Sequence, residues 1–157
     1  MRYQKLFYHG YKLHALVGMN GMIDQYDLSA ANVHDLHYLQ DVRHQKANCH
    51  IIGDKAYDAI PTQLSLFEQH TIRLLAPARA YKNRYQNFPK SAVRIRKRIE
   101  TTFSQLCDQF NIKRNYAKSF LGLAARSVRK IAAFSLLQYI NVIINHRPQN
   151  QIKHARA

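Results

Sequence analysis

Cysteine is scarce in this sequence: Cys49 and Cys107 are the only two in 157 residues. Two thiols with no Cys-x2-Cys spacing are too few for a disulfide framework or an all-cysteine zinc site, and their apolar flanks lead us to expect buried thiols. The 9 His are scattered, and no two have the spacing of a helical zinc motif. His34 and His37 stand three apart with no Cys or Glu beside them, so they are read as surface residues. Long apolar runs are missing too. The most apolar stretch, "IAAFSLLQYINVII" at 131–144, is interrupted by Ser135, Gln138 and Asn141 and is too short to span a bilayer. The opening "MRYQKLFYHGYKLHALV" lacks the apolar run and small-residue cleavage site of a signal peptide. No repeat or low-complexity tract occurs. These absences predict a cytoplasmic protein with no membrane partner.

Acid is also in short supply, and unevenly so. Residues 1–68 hold 6 Lys/Arg against 7 Asp/Glu, whereas residues 69–157 hold 18 against 2, and the whole chain carries +15. Charge of that density suits a polyanion, because displacing counterions condensed on nucleic acid favours binding without any sequence code. A solvated basic surface that aids solubility is the plainer alternative. With 46% apolar residues the chain is expected to form a single domain, 1–157, that buries roughly 70% of its extended surface.

The pattern predicts an α/β fold. An Asn20-Gly21 pair between two β-prone runs signals a hairpin with strands at about 8–17 and 22–28, both turn residues taking positive φ. A helix capped by Asn32 or Asp35 should run to about Arg43. "CHIIGD" at 49–54 reads as a buried strand, "DAIPTQLSLFEQH" as a helix with Pro61 in its first turn, and "TIRLLA" at 71–76 as another strand. The sheet-rich part, 1–76, is followed by a basic connection, 77–90, and a helical part, 91–147. The first long helix should start at Ser91 and bury Ile95, Ile99, Phe103, Leu106 and Phe110. The second should run from about Leu121 to Asn145, with Ser127, Lys130, Gln138, Asn141 and Asn145 on a polar stripe broken by Phe134, and Pro148 beyond its end.

Two acids stand out. Asp54 ends "HIIGD", and ligands of open α/β sheets collect at the carboxyl ends of strands. Glu100 follows Arg94, Arg96, Lys97 and Arg98 in "VRIRKRIETTFSQL". Taken singly, Asp54 is an ordinary turn-capping residue and Glu100 an ordinary helix partner of Arg96 and Lys97, worth about 0.2–0.5 kcal/mol per pair. Taken together they supply oxygen donors for Mg²⁺, and two such ions assist phosphodiester chemistry.

The ordered set "FYHGYKLHALVGMNGMIDQYDLSAANVHDLHYL", "IIGDKAYDA" and "RIRKRIETTFSQLCDQFNIKRNYAKSFLGL" resembles the catalytic domain of DDE transposases of bacterial insertion sequences. The resemblance implies a ribonuclease-H-like mixed sheet with flanking helices. It implies three acids, Asp, Asp and Glu, holding two Mg²⁺ or Mn²⁺ ions that serve nicking and joining of transposon ends to target DNA. Asp54 matches the second acid, with Ala56 at a position usually occupied by another small residue, and Glu100 matches the third. Arg96 fits the arginine of the family's Tyr-x2-Arg-x3-Glu-x6-Lys signature, but Val93 replaces its Tyr and Cys107 its Lys. The family's first Asp lies on the strand before the "YHGYKLH" hairpin. Only seven residues precede that hairpin here, and none is acidic; Asp24 and Asp27 fall on a later strand. The expectation is a truncated carboxyl-terminal portion lacking the first strand and first metal ligand, with unpaired strand edges and reduced stability.

For DNA contact the residues singled out are Lys55, Arg79, Lys82, Arg84, Arg94, Arg96, Lys97, Arg98, Lys113 and Arg114. In the basic connection these cations, with Lys90, alternate with Tyr81, Tyr85 and Phe88, a mixture suited to phosphates and splayed bases. Lys113 and Arg114, with Tyr116 and Lys118, lie between the long helices. The implied partners are transposon-end and target DNA, and a homo-oligomer or a mixed oligomer with an intact transposase, in the bacterial nucleoid. A noncatalytic basic nucleic-acid-binding protein and a remnant that modulates an intact transposase are the alternatives. The charge distribution predicts that affinity for duplex DNA falls steeply with salt, and that Arg94→Ala flattens the log–log slope by about one unit in a fluorescence-anisotropy titration. A salt-insensitive affinity would contradict phosphate contact.

Overall fold

The structure is a computed structural model, and it describes residues 10–78, 88–148 and 151–152. The chain resolves into two compact units. One comprises residues 1–14 and 27–89, the other residues 15–26 and 90–157.

The hairpin strands are β1 (Tyr11–Val17) and β2 (Ile23–Ala30), whose outer ends belong to the first unit and whose tip belongs to the second. The tip differs from the expected two-residue turn. Gly21 N–H donates to Gly18 C=O at 2.8 Å, Gly18 N–H donates to Met22 C=O at 2.9 Å, and Gly21 alone takes positive φ, 77°. This is a three-residue loop closed by a left-handed glycine. Asn20 contributes through its side chain instead, accepting from Met22 N–H at 3.1 Å.

In the first unit a 3₁₀ turn, Asp35–His37, leads into α1 (Tyr38–Gln45). Its cap is neither Asn32 nor Asp35: His34 Nδ1 accepts from Leu36 N–H, because His34 is the residue whose backbone is still extended. Then come β3 (His50–Ile52), α2 (Ile60–His70) with its proline in the first turn, and β4 (Arg73–Leu75). Strands β3 and β4 pair in parallel, His50 with Arg73 through Ile52 with Leu75, so β3–α2–β4 is a crossover unit. Leu39, Leu66, Ile72 and Leu74 form its core, with Cys49, Ile51 and Tyr57 packed on them.

The α/β class therefore holds. Among the described residues the hairpin and the β3–β4 pair are separate two-stranded ladders, because no hydrogen bonds join one to the other. Both cysteines are half-buried and free, not buried as expected; Cys49 sits at the margin of its apolar cluster instead of inside it. His34 and His37 are exposed, as expected.

The second unit is built on α3 (Lys90–Phe110) and α4 (Phe120–Tyr139). Helix α3 starts at Lys90, directly after Pro89, so Ser91 lies inside the first turn and not at the cap. Leu106, Phe134 and Ile152 form the core, joined by Ile23 from the hairpin tip and by Phe103, Phe110 and Ile112. Phe110 meets Phe134 edge-on at 5.9 Å, a favoured aromatic geometry. Thr102 Oγ1 donates to Gly21 C=O at 3.4 Å, tying the tip to α3.

Helix α4 is capped by Ser119, whose hydroxyl accepts from Gly122 N–H, and it continues into one π turn, Ile140–Ile144. The helical run Phe120–Ile144 is 25 residues with a mean hydropathy of 1.2, long and apolar enough to cross a membrane by length and composition alone. That corrects the estimate from 131–144, because the helix extends back to Phe120. The polar stripe also faces the other way from its usual direction: Ser127, Gln138 and Asn141 are buried beside Ile131 and Phe134. Asn141 Nδ2 donates to Pro148 C=O at 2.8 Å, but among the described residues neither amide atom of Gln138 has a partner. Burying an unpaired amide is costly. Gln138→Met, which keeps the volume, is expected to raise unfolding stability by about 1–3 kcal/mol in a urea titration; a loss of stability would show that the amide is satisfied in solution.

Candidate functional site

Asp54 sits one residue beyond the β3–β4 ladder. Gly53 N–H donates to Leu75 C=O at 2.9 Å, extending the pairing, and the chain then turns through a 3₁₀ segment, Lys55–Tyr57. Asp54 caps that turn: Oδ1 accepts from Ala56 N–H at 2.8 Å, and its carbonyl accepts from Tyr57 N–H at 3.1 Å. The second carboxylate oxygen makes no hydrogen bond among the described residues, and the residue is exposed. Gly53 has a specific role here. A Cβ at that position would lie 3.0–3.2 Å from Tyr57 Cβ, Cγ and Cδ2, so the missing side chain lets the tyrosine fold back over the strand end.

Tyr57 brings the acid into a cluster that the sequence did not reveal. The 3₁₀ turn Asp35–His37 packs against Lys55–Tyr57. Burial, reinforced by the charges of Asp35 and then Asp54, pushes the Tyr57 hydroxyl up to about 12. Lys12 Nζ pairs with Asp35 Oδ1 at 2.7 Å and donates to Val33 C=O at 2.6 Å. His14 stacks on Tyr38 at 5.1 Å and bonds Ser29 Oγ at 2.7 Å. Burial lowers its pKa below the ordinary imidazole value, with Asp35 opposing and Lys12 assisting. Asp35 lies 23 residues from Lys12, and nothing in local spacing joins them. Tyr57 alone left a signal, as the third residue after Asp54 in "GDKAY".

Glu100 lies in the second unit, on the exposed side of α3. Its Oε1 meets Arg96 Nη2 at 3.4 Å in an i,i+4 pair whose Glu side chain is 58% exposed. Such a pair is worth about 0.3–0.5 kcal/mol. Arg94 and Lys97 are exposed on the same helix, and Arg98 is half-buried. Lys113 and Arg114 are exposed in the link to α4, along with Tyr116 and Lys118. Lys130 holds that link in shape by donating to Asn111 C=O at 2.7 Å and Arg114 C=O at 3.2 Å, and Asn115 Oδ1 accepts from Ala117 N–H. Lys55 is exposed in the turn after Asp54, whereas Arg79, Lys82 and Arg84 lie outside the described residues.

Asp54 and Glu100 thus belong to different units, each described by itself. Among the described residues no three His, Cys, Asp or Glu side chains gather as a metal site. As donors the two acids suit a hard divalent cation: both are exposed carboxylates, and Asp54 keeps one oxygen unengaged.

The model of the transposase DDE domain family matches residues 2–136. The chain belongs to this family. No curated protein and no solved structure matches it. Membership links the DDE chain to DNA transposition, a metal-dependent activity on DNA, and the β3 end bearing Asp54 and the α3 face bearing Glu100 both fall inside the matched residues.

Because Tyr57 holds its proton more tightly when folded, the unfolded chain loses that proton first as pH rises from the ordinary value of 10. The stability it contributes is whole below pH 10 and is lost by about 12. Tyr57→Phe is therefore expected to shallow the alkaline decline of the melting temperature over that window. It should also remove a late-titrating phenolate from the 295 nm absorbance difference. An unchanged decline would place Tyr57 in solvent.

Proposed function

We propose that this domain binds insertion-sequence DNA, and that Asp54 and Glu100 are the second and third acids of a divalent-metal site for strand cleavage and transfer. The observation that carries this reading is the position of Asp54. It stands at the carboxyl end of a parallel strand in a β–α–β crossover, inside a chain matched by the DDE family, with one carboxylate oxygen unengaged. Mg²⁺ or Mn²⁺ held there would supply activation of the attacking oxygen and stabilisation of the departing one.

The chain's own residues position the acid and the polyanion. The Ala56 N–H fixes one Asp54 oxygen so that the other faces outward. Tyr57, neutral at any physiological pH, closes the inner side of that turn against Gly53. On α3, Arg94 and Lys97, about two turns and one turn before Glu100, offer unburied charge to phosphates, while Arg96 restrains the Glu100 carboxylate. Lys113 and Arg114 add a second backbone contact from a link held by Lys130. Such contacts bind without reading sequence. The family's cytoplasmic, nucleoid setting follows from a DNA substrate.

A second reading rests on one observation. Asp54 and Glu100 both already make ordinary structural contacts, a turn cap and an i,i+4 pair. On that reading the domain binds DNA without chemistry, or modulates an intact transposase. Metal-dependent stabilisation separates the two. Millimolar Mn²⁺ is expected to raise the melting temperature of the wild type by a few degrees, as about 2.7 kcal/mol accrues at a hundredfold excess over Kd. Asp54→Asn and Glu100→Gln should each abolish most of the rise. A shift that survives both substitutions, or no shift at all, favours the noncatalytic reading.

A further inference from the structure

The helical run from α4 through the π turn carries Ser127, Gln138 and Asn141 inward and a continuous apolar stripe outward, with the exposed Arg126 and Arg129 at its edge. Leu121, Val128, Leu136, Tyr139 and Ile143 are all exposed, Leu121 by 79% and Leu136 by 59%, and Ala125 and Ala132 are exposed between them. Successive members are 4, 3, 4, 4, 3 and 4 residues apart. That averages about 3.7, close to one helical turn, so the side chains form one straight stripe about 33 Å long. Its last member is carried by the π turn, where Ile144 is exposed as well.

We propose that this stripe packs against the same stripe of a second copy, antiparallel about a two-fold axis at Ala132. The stripe's positions are symmetric about that residue, at 4, 7 and 11 residues to either side. An antiparallel pair therefore sets Val128 against Leu136, Ala125 against Tyr139, Leu121 against Ile143, and Ala132 against itself. Bulk complements bulk: the largest side chain, Tyr139, meets alanine, and two alanines meet on the axis, where the helices come closest. An isologous interface requires this self-complementarity.

Charge selects the same arrangement. Arg126, Arg129 and Lys130 lie in the first half of the helix, while residues 131–145 contain no charged side chain. Antiparallel pairing places each copy's cationic half beside the other's uncharged half, toward the negative end of its helix dipole. Parallel pairing would set Arg126 and Arg129 against their own copies. An anionic lipid surface also suits an apolar stripe edged by arginines, but it makes no use of symmetry about residue 132. The inference stands whether or not Asp54 and Glu100 carry chemistry.

The test is the mass of the full chain in solution. Light scattering should show it rising with concentration from 18.4 kDa toward about twice that value. Leu136→Asp should hold it at the lower value with an unchanged far-ultraviolet dichroism spectrum, because the side chain is already exposed in the protomer. Orientation is read with Cys49 and Cys107 replaced by serine. Ala132→Cys should be linked to its own copy by a short bismaleimide, whereas Ala125→Cys should not, its copies lying about 21 Å apart along the pair. The proposal is overturned if the wild type stays monomeric, if association ignores Leu136→Asp, or if both cysteines link equally. It is also overturned if a monomer instead sediments with phosphatidylglycerol vesicles in a Leu136-dependent way, which would assign the stripe to lipid.

Discussion

The parallel pairing of β3 with β4 is the constraint on which the candidate chemistry rests. Three residue pairs, closed by the Gly53 N–H to Leu75 C=O bond, decide where the strand must stop. The next residue is Asp54, and its carboxylate both ends the strand and caps the turn that follows. Glycine at 53 is what allows this. Tyr57 lies back over the strand end where a Cβ at 53 would come within 3.0–3.2 Å of it and force it to shift, and through Tyr57 the turn joins the apolar cluster of Leu39, Leu66, Ile72 and Leu74. An acid held from both sides in this way keeps one oxygen outward without help from a ligand.

The second unit solves a different problem, that of holding a long cationic helix in place with few acids. Residues 109–157 contain no Asp or Glu. Order therefore comes from an apolar contact, Leu106 with Phe134 and Ile152, and from carbonyl groups that receive the cations, as Asn111 and Arg114 receive Lys130. Most of the remaining positive charge has no acid to meet, which leaves Arg94, Lys97, Lys113 and Arg114 presented to solvent. The interior accepts polar groups in return. Gln138 and Asn141 are among the most completely buried side chains of the chain, and the apolar residues they displace from the core are the ones exposed along α4.

Much was legible from the sequence because it depended on neighbours in the chain. Strand and helix types followed from periods of two and of about 3.6, and all four strands and the main helices appear near their expected places. Pro61 in the first turn of α2 read correctly for the same reason, as did Asp54 at a strand end, whereas of the five apolar positions expected inside α3 only Leu106 is buried and Ile95, Ile99, Phe103 and Phe110 are half-buried, because Ala92, Thr102 and Gln105 take the interior face. The acids and cations of the family pattern are likewise a property of linear order, which is why the match to residues 2–136 agrees with the resemblance drawn from the three motifs.

What only the tertiary structure decided were the matters settled by distant partners. The Lys12–Asp35 pair and the field around Tyr57 join residues more than twenty apart, so no window of sequence contains them. The outward face of α4 was hidden for a related reason. Amphipathic reading assumes that polar residues seek water, yet this helix presents Ser127, Gln138 and Asn141 to the core, where Phe134 shares their face and anchors it. Sequence alone determined which stretches fold into strands and helices and where the charge accumulates, because those depend on local backbone preference and residue count. Which side of a helix turns inward, and which acid lies beside which ring, waited on the packing energy of the whole fold.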